Sequence, residues 1–162
     1  MDGNAVASWI DHQAIKRLNP QRYPLALLDR IEQQADGELV GIKAITATEP
    51  CYRFVSDDMD QAGLAYPSPL IAESFCQSAG PLCLSQGAVT LDQAHDQVMV
   101  IASMSDIVFL RPVFPGQVIT HHPRLLASYS NAVLVGGETR QAGEPVARFG
   151  GILVAWSEKV RL

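Results

Sequence analysis

Hydrophobic residues in the middle of the chain form a run that would be apolar around nearly the whole circumference of a helix. Ser68 and Pro69 suit the N-cap and the first helical position, and residues 70–79 continue the apolar pattern. Pro81 is expected to end or kink the helix, and Gly87 to close the region. A surface helix would keep one polar face, so this pattern predicts a central helix buried on every side.

Patterns typical of strands lie on both sides of this helix. Before it, Asp36 and Gly37 form a strong hairpin signal, with residues 39–48 as the returning strand. After it, six apolar-rich runs are separated by proline, glycine or asparagine: 98–104, 107–110, 118–122, 124–129, 132–139 and 146–156. Residues 142–145 predict a hairpin, and the glycine pairs 136–137 and 150–151 predict bulges. The order predicts an α+β fold in which an antiparallel sheet curls around the helix, within one domain covering residues 1–162.

Composition narrows the class of protein. The chain has 162 residues, enough for one domain, with 48% hydrophobic and 18% charged residues. A net charge of −5 argues against binding to a phosphate backbone, so nucleic acid is not expected as a partner. No signal sequence or membrane-length apolar run is visible, which predicts a cytoplasmic protein without a membrane partner. Three cysteines without a C-x-x-C pair are expected to be free, buried thiols in a reducing compartment.

Three separated segments resemble the 3-hydroxyacyl-[acyl carrier protein] dehydratase family. Residues 21–31 (QRYPLALLDRI) resemble its H-R-Y-P-F-L-L-V-D-R-I. Residues 67–73 (PSPLIAE), followed by Gln77, Ala79 and Gly80, resemble P-G-V-L-I-I-E-A-M-A-Q-A-A-G. Residues 109–116 (FLRPVFPG) resemble F-K-R-P-V-V-P-G. The resemblance implies a hotdog fold, in which a long helix is wrapped by a curved antiparallel sheet and two such units pair as a dimer.

The resemblance also implies a reaction, the loss of water from a 3-hydroxyacyl thioester. In the family a histidine takes a proton next to the thioester carbonyl, and a glutamate from the other subunit assists the departing hydroxyl. Glu73 matches that glutamate, whereas the histidine position falls on Met59, which cannot move a proton. By their places in the family motifs, the residues predicted to contact substrate are Met59, Gly63, Tyr66, Pro67 and Gln77.

Other candidate chemistry is weaker. Asp57, Asp58 and Asp60 are interpreted as a solvated acidic loop, although one of them would be a replacement base if it lay at the site. Their spacing matches no metal-ligand loop. His121 and His122 alternate along a predicted strand, so they face opposite sides of the sheet. His12 and His95 are interpreted as structural or surface residues. We predict neither a metal nor a cofactor.

Three hypotheses about function stay open from the sequence. The first is a dehydratase of fatty acid or polyketide-type biosynthesis that works in a mixed dimer, with Glu73 supplied by this chain. The second is a stand-alone enzyme with altered chemistry, which catalyses dehydration, isomerisation or thioester hydrolysis with Glu73 as its only proton carrier. The third is an acyl-thioester binding protein without catalysis.

The predicted partners are an acyl carrier protein or a CoA thioester, and a second hotdog subunit, either identical or related. Acyl carrier proteins are acidic, so docking would need local cations. The candidates are Arg111, Arg124, Lys159 and Arg161.

Overall fold

The computed structural model describes residues 9–88 and 97–158. In chain order its helices and strands are β1 (Trp9–Ile10), α1 (His12–Leu18), β2 (Arg30–Gln33), β3 (Leu39–Ala44), α2 (Ser68–Ser85), β4 (Gln97–Phe109), β5 (Val118–Ser128), β6 (Ala132–Gln141) and β7 (Glu144–Glu158). Short 3-10 turns at Pro50–Tyr52 and Ala62–Leu64 interrupt the loop before α2.

The described strands form one antiparallel sheet in the order β1-β2-β3-β5-β6-β7-β4. The sheet is open, with β1 and β4 at its two edges. Helix α2 packs across β3, β5 and β6. Strands from distant parts of the sequence thus pack against one side of a single long helix, and the predicted α+β arrangement is confirmed.

A four-residue spacing directs one stripe of α2 into the core. Ile71, Phe75, Ala79 and Cys83 are all buried in the main hydrophobic cluster, as expected for positions that share one face of a helix. The ring of Phe75 stacks on Phe149 with 4.0 Å between ring centroids. This stripe fixes the rotation of the helix and therefore decides which side chains point elsewhere.

The prediction that α2 is buried on every side was too strong. Pro69 is exposed, and Ala72, Glu73 and Cys76 are only half-buried. The sheet covers one side of the helix, whereas this second stripe lies on another side, at or near a cavity. The sequence pattern does not distinguish the core-facing side of α2 from the cavity-facing side, because the residues that line an apolar cavity are as apolar as those that pack in the core.

The ends of α2 differ slightly from the prediction. The helix begins at Ser68, so Pro67 and not Ser68 occupies the N-cap position, and no side chain caps it. The backbone N–H of Tyr66 donates to the carbonyl of Val113 (2.7 Å), which holds the approaching chain against the loop between β4 and β5. Gly87, predicted to close the region, has a φ of +67° directly after the helix, a conformation that glycine adopts without a steric penalty.

Pro81 does not end the helix, which continues through it to Ser85. Proline has no N–H, so the carbonyl of Gln77, four residues earlier, loses its helical partner. The side-chain amide of Asn19 donates to that carbonyl (Nδ2 to O, 2.8 Å) and satisfies it. A residue 58 positions away in sequence therefore makes the proline tolerable inside the helix.

The two predicted hairpins are confirmed. Gly37, in the turn between β2 and β3, has a φ of +86°. Between β6 and β7, Ala142 and Gly143 both have positive φ, and Gln141 pairs with Glu144. These are the features of a two-residue turn whose twist matches that of the strands.

Strand continuity was predicted less well. The runs 98–104 and 107–110 are joined in the single strand β4, which ends at Phe109, and the runs 118–122 and 124–129 are joined in β5, which ends at Ser128. The returning strand predicted over 39–48 ends at Ala44. The bulge predicted at residues 150–151 is confirmed, since Gly150 and Gly151 of β7 lie opposite the single residue Gly136 of β6. The pair 136–137 belongs to the strand that is not bulged and pairs regularly with β5. Isolated proline or polar residues suggested that these strands were interrupted, but pairing with the neighbouring strands continues past them.

Candidate functional site

A cavity of about 140 Å³ lies between α2 and the strands β4, β6 and β7. Most of its lining is apolar. Its polar side chains come from one turn of α2 and from the loop after α1, and they are Glu73, Gln77, Asn19 and Gln21. We call these four residues the cavity wall. An apolar pocket with a few converging polar groups is the usual form of a small-molecule site.

Glu73 is held in place by the residue one helical turn later. Residues four apart on a helix are neighbours, and Nε2 of Gln77 donates to Oε1 of Glu73 at 2.8 Å. Glu73 is half-buried beside the cavity, and a hydrogen bond lowers the cost of removing a carboxylate from water. The hydrogen bond to Oε1 orients the carboxyl group, and Gln77 does not engage Oε2.

The amide of Gln77 also ties the first family-like segment to the helix. Its Nε2 donates to the carbonyl of Leu25 (2.7 Å), and its Oε1 accepts from the N–H of Leu27 (3.0 Å). Gln77 is 3% exposed, and both atoms of its amide are engaged. It was predicted to contact substrate. The structure places it on the cavity wall, where it positions Glu73.

Two cysteines of α2 also line the cavity. Burial raises the pKa of Cys76 to about 12, with a further contribution from Glu73 nearby, and burial raises the pKa of Cys83 to about 11. Both thiols are therefore neutral at ordinary pH and poor nucleophiles. All three cysteines are free, as predicted.

The remaining predicted contact residues, Met59, Gly63, Tyr66 and Pro67, lie in the loop before α2 and not around this cavity. Met59 is 44% exposed. It packs on Gly63, where an added Cβ would lie 2.1 Å from the Met59 sulfur. The structure thus brings Glu73 and Gln77 together at the cavity. Met59, at the position of the family's histidine, lies away from it in the loop before α2.

A group of buried polar residues supports the root of that loop. Lys43 on β3 pairs with Glu49, and the two side chains are only 6% and 10% exposed. The Lys43 ammonium also lies 5.9 Å from the centre of the Tyr66 ring. Burial raises the pKa of Tyr66 above its ordinary value. With His121 on the neighbouring strand we call these residues the inner cluster. The sequence analysis missed Lys43 and Glu49, because their pairing is visible only once β3 and the loop are in contact.

His121 is fully buried and lies edge-on to Phe75. Its Nδ1 forms a hydrogen bond with the hydroxyl of Thr139 (2.8 Å). Burial lowers its pKa to about 3, with smaller contributions from His122 and Lys43. His122 points to the other side of the sheet, toward Glu38, as the alternation predicted.

The acidic loop residues Asp57, Asp58 and Asp60 are exposed and do not line the cavity. Asp60 accepts a hydrogen bond from the N–H of Gly63 (2.8 Å). A hydrogen bond from Ser56 holds the pKa of Asp58 below its usual range. These contacts organise the loop itself.

The predicted docking cations differ in their surroundings. Arg111 donates to the carbonyls of Gln141 and Glu144, so it clamps the β6–β7 hairpin. Arg124 is exposed on β5. Lys159 and Arg161 fall outside the described residues, as does His95.

Within the described ranges, no helix is both long and apolar enough to cross a membrane.

Solved structures with the same architecture define the class of fold. The dehydratase heterocomplex ApeI:P from Xenorhabdus doucetiae superposes with a TM-score of 0.66 at 15% identity, covering 90% of this chain and 91% of that chain. A hot-dog-like protein from Thermanaerovibrio acidaminovorans superposes with a TM-score of 0.55 at 13% identity, covering 74% and 80%. The chain has the hotdog fold, as predicted.

Sequence comparison is more specific. No family model matches the chain. The 3-hydroxyacyl-[acyl-carrier-protein] dehydratase FabZ of Methylobacterium sp. (strain 4-46) is 31% identical over 134 residues, which cover 82% of this chain and 78% of that protein. The FabZ of Syntrophotalea carbinolica is 33% identical over 134 residues, covering 82% and 86%. The chain belongs to the FabZ 3-hydroxyacyl-[acyl-carrier-protein] dehydratase family.

Proposed function

We propose that this chain is the glutamate-donating subunit of a 3-hydroxyacyl-thioester dehydratase whose histidine comes from a different hotdog subunit. One observation carries the proposal. Glu73 stands on the cavity wall with its carboxyl group held by Gln77, whereas the family's histidine position is occupied by Met59. The chain thus keeps the glutamate and the residue that orients it, but it lacks the histidine.

The proposed reaction needs two proton carriers. A base removes a proton from the carbon next to the thioester carbonyl, and the carboxyl form of Glu73 gives its proton to the leaving hydroxyl. Water departs, a carbon–carbon double bond forms, and the enoyl thioester remains. The carboxylate of Glu73 recovers a proton before the next turnover. Its hydrogen bond from Gln77 leaves Oε2 to face the substrate.

The described residues provide no convincing base for the first step. No histidine among residues 9–88 and 97–158 lines the cavity, and His121 is sealed in the core. The two thiols at the cavity have raised pKa values, so they hold their protons. A homodimer of this chain would repeat the same deficiency, which favours a heterodimer with a histidine-bearing subunit.

Strand β4 offers the surface for such a partner. It lies at the edge of the sheet, and its exposed apolar side chains include Val100, Ile101 and Met104. A long unpaired apolar edge strand is normally covered by another chain. Val100 and Ile101 also line the cavity, so a subunit paired along β4 would sit next to Glu73. The heterocomplex among the structural neighbours is consistent with this arrangement.

The proposed cargo is an acyl chain carried as a thioester of acyl carrier protein or CoA. The apolar part of the cavity, with Val133, Val135 and Ile152, suits an acyl chain. Arg111 and Arg124, the described cations among those predicted to meet an acidic carrier, are both exposed, and Arg111 is tied to the β6–β7 hairpin.

Reconstitution with a histidine-bearing hotdog dehydratase subunit encoded in the same genome tests the proposal. We expect a stable complex whose dehydration rate exceeds that of either subunit alone. The Glu73→Gln variant should still assemble and should lower the rate of the complex by about 100-fold or more. Glu144→Gln, at an exposed glutamate, is the matched control and should leave the rate unchanged.

The outcomes separate the proposal from its alternatives. Turnover by the purified chain alone that disappears with Glu73→Gln would instead identify a stand-alone enzyme, a thioesterase if free thiol is released or an isomerase if the double bond moves. Acyl-thioester binding without turnover in any mixture would identify a binding protein. A complex whose activity is indifferent to Glu73→Gln would contradict the proposal.

A further inference from the structure

The cavity wall contains a fully buried polar atom that has no hydrogen-bond partner among the described residues. Oε1 of Gln21 is buried from solvent and has no hydrogen-bond partner within residues 9–88 and 97–158. Gln21 lines the cavity together with Glu73. A buried acceptor without a donor is unfavourable and is uncommon in folded proteins. Its presence at a cavity points to a donor that arrives with a ligand.

Other amides of the wall are engaged. Gln77 uses its side-chain nitrogen for Glu73 and Leu25, and its side-chain oxygen for Leu27. Asn19 uses its side-chain nitrogen for the carbonyl of Gln77. These contacts hold the protein together. The Gln21 oxygen is therefore an acceptor of the wall, beside the carboxylate of Glu73, that a ligand can use without breaking a contact described for the protein.

The backbone that carries Gln21 is held rigidly. The Arg22 guanidinium donates to the carbonyls of Asn19 and Gln21 (2.9 and 2.8 Å). Asn19 is itself anchored to α2 through Gln77, and the N–H of Leu25 closes the turn on the carbonyl of Arg22 (2.8 Å). A ligand that meets Gln21 does not have to order this loop first, so the cost of binding is reduced.

We propose that Gln21 is a specificity-determining residue, whose Oε1 accepts a hydrogen bond from the hydroxyl group of a hydroxyacyl chain bound in the cavity. This inference rests on the proposed function, because it assumes that an acyl thioester occupies the site. The occupant must be largely apolar, to match Val133, Val135 and Ile152, and must carry a donor at the polar wall. A hydroxylated acyl chain satisfies both conditions. An acceptor at this point favours the hydroxylated chain over the saturated chain and over the dehydrated product, neither of which has a donor there.

Binding of a matched pair of ligands tests the inference. The dissociation constants of 3-hydroxyhexanoyl-CoA and hexanoyl-CoA are measured by calorimetry on the full chain, with the ligands recovered intact by mass spectrometry. Wild-type protein should bind the hydroxylated ligand roughly three- to tenfold more tightly, the usual effect of one neutral hydrogen bond. In Gln21→Leu the ratio should fall to about one, since the acceptor is gone. Gln13→Leu makes the same chemical change at an exposed position of α1 and should keep the wild-type ratio.

The remaining outcomes are decisive as well. If wild-type protein binds both ligands equally, the inference is wrong while the acyl site of the proposed function stands. If Gln21→Leu weakens both ligands by the same factor, the donor is an amide N–H of the pantetheine arm that the two share, and the hydroxyl assignment is overturned. If neither ligand binds wild-type protein, the chain has no acyl site of its own and this inference is wrong, whereas the proposed function is still decided by the reconstituted complex. Gln21→Met replaces the leucine variant if that one does not fold.

Discussion

The cavity wall and the inner cluster lie on different sides of α2, and both place polar groups in an otherwise apolar setting. On the wall, Glu73 is half-buried beside a cavity and is oriented by Gln77. In the inner cluster, Lys43 and Glu49 are almost completely enclosed, and His121 is fully enclosed, away from that cavity. Polar groups that border open space can exchange protons with a ligand, whereas enclosed polar groups can only stabilise or destabilise the fold. The comparison assigns chemistry to the wall and structural support to the cluster.

The largest effect should come from removing the buried lysine. Lys43→Met leaves the carboxylate of Glu49 buried without its partner, which should lower the free energy of unfolding by about 3–5 kcal/mol. Arg30→Met removes an ion pair of the same type from Glu32, but there the arginine side chain is 50% exposed, so the loss should stay below about 1 kcal/mol. Chemical denaturation of the two variants measures both values. Equal losses would show that burial does not distinguish the cluster from the surface.

The second prediction concerns acid stability and His121. Its pKa is lowered to about 3 in the folded protein, so between about pH 6.5 and pH 3 the unfolded chain binds a proton that the folded protein does not. Stability should therefore fall with decreasing pH by up to about 1.4 kcal/mol per pH unit from this group. His121→Gln should remove that part of the slope between pH 6 and pH 4. His122→Gln, on the other side of the sheet, should retain it, and an unchanged slope in His121→Gln would refute the assignment.

The third prediction concerns Asn19 of the cavity wall, which supplies the hydrogen bond that Pro81 cannot donate. Asn19→Ala removes the donor to the carbonyl of Gln77 and should cost about 1–3 kcal/mol, because the carbonyl is buried. In a Pro81→Ala background the new N–H at position 81 can restore the helical hydrogen bond, so Asn19→Ala should cost less. A double-mutant cycle in denaturant measures the coupling. Additive losses would mean that Asn19 acts independently of the proline.

Sequence reasoning was most successful where local chemistry decides the structure. The turns at Gly37 and Gly143 were predictable because only certain residues adopt positive φ easily. The central helix and Glu73 were predictable from their pattern and their place in the family motifs. The mispredicted features depend on contacts between distant segments. Pro81 was expected to end or kink α2, but the helix continues through it, and nothing in the local sequence indicates that Asn19 would supply the missing hydrogen bond.

The site was predictable in part for the same reason. Glu73 and Gln77 are four residues apart on one helix, so their proximity follows from the helix alone. Gln21 joins them only because the loop after α1 folds back onto α2, a contact across more than 50 residues of sequence. The ion pair of Lys43 and Glu49 is separated by only six positions, yet neither residue looks unusual until its burial is known.

The smallest expected effect tests whether the missing half of the machinery can be restored by one substitution. Met59→His returns the family's residue to its position in the motif, but Met59 is 44% exposed and packs over Gly63 in the loop before α2. A proton carrier must lie within hydrogen-bonding distance of the proton that it takes, and an exposed side chain on this loop is not held there. We therefore expect the rate of 3-hydroxyacyl-thioester dehydration by the chain alone to change by less than about tenfold. Asp57→His, at another exposed position of the same loop, is the matched control. A rise specific to Met59→His that approaches the rate of the reconstituted complex would show that the loop already holds the catalytic geometry, and that only the imidazole has been lost.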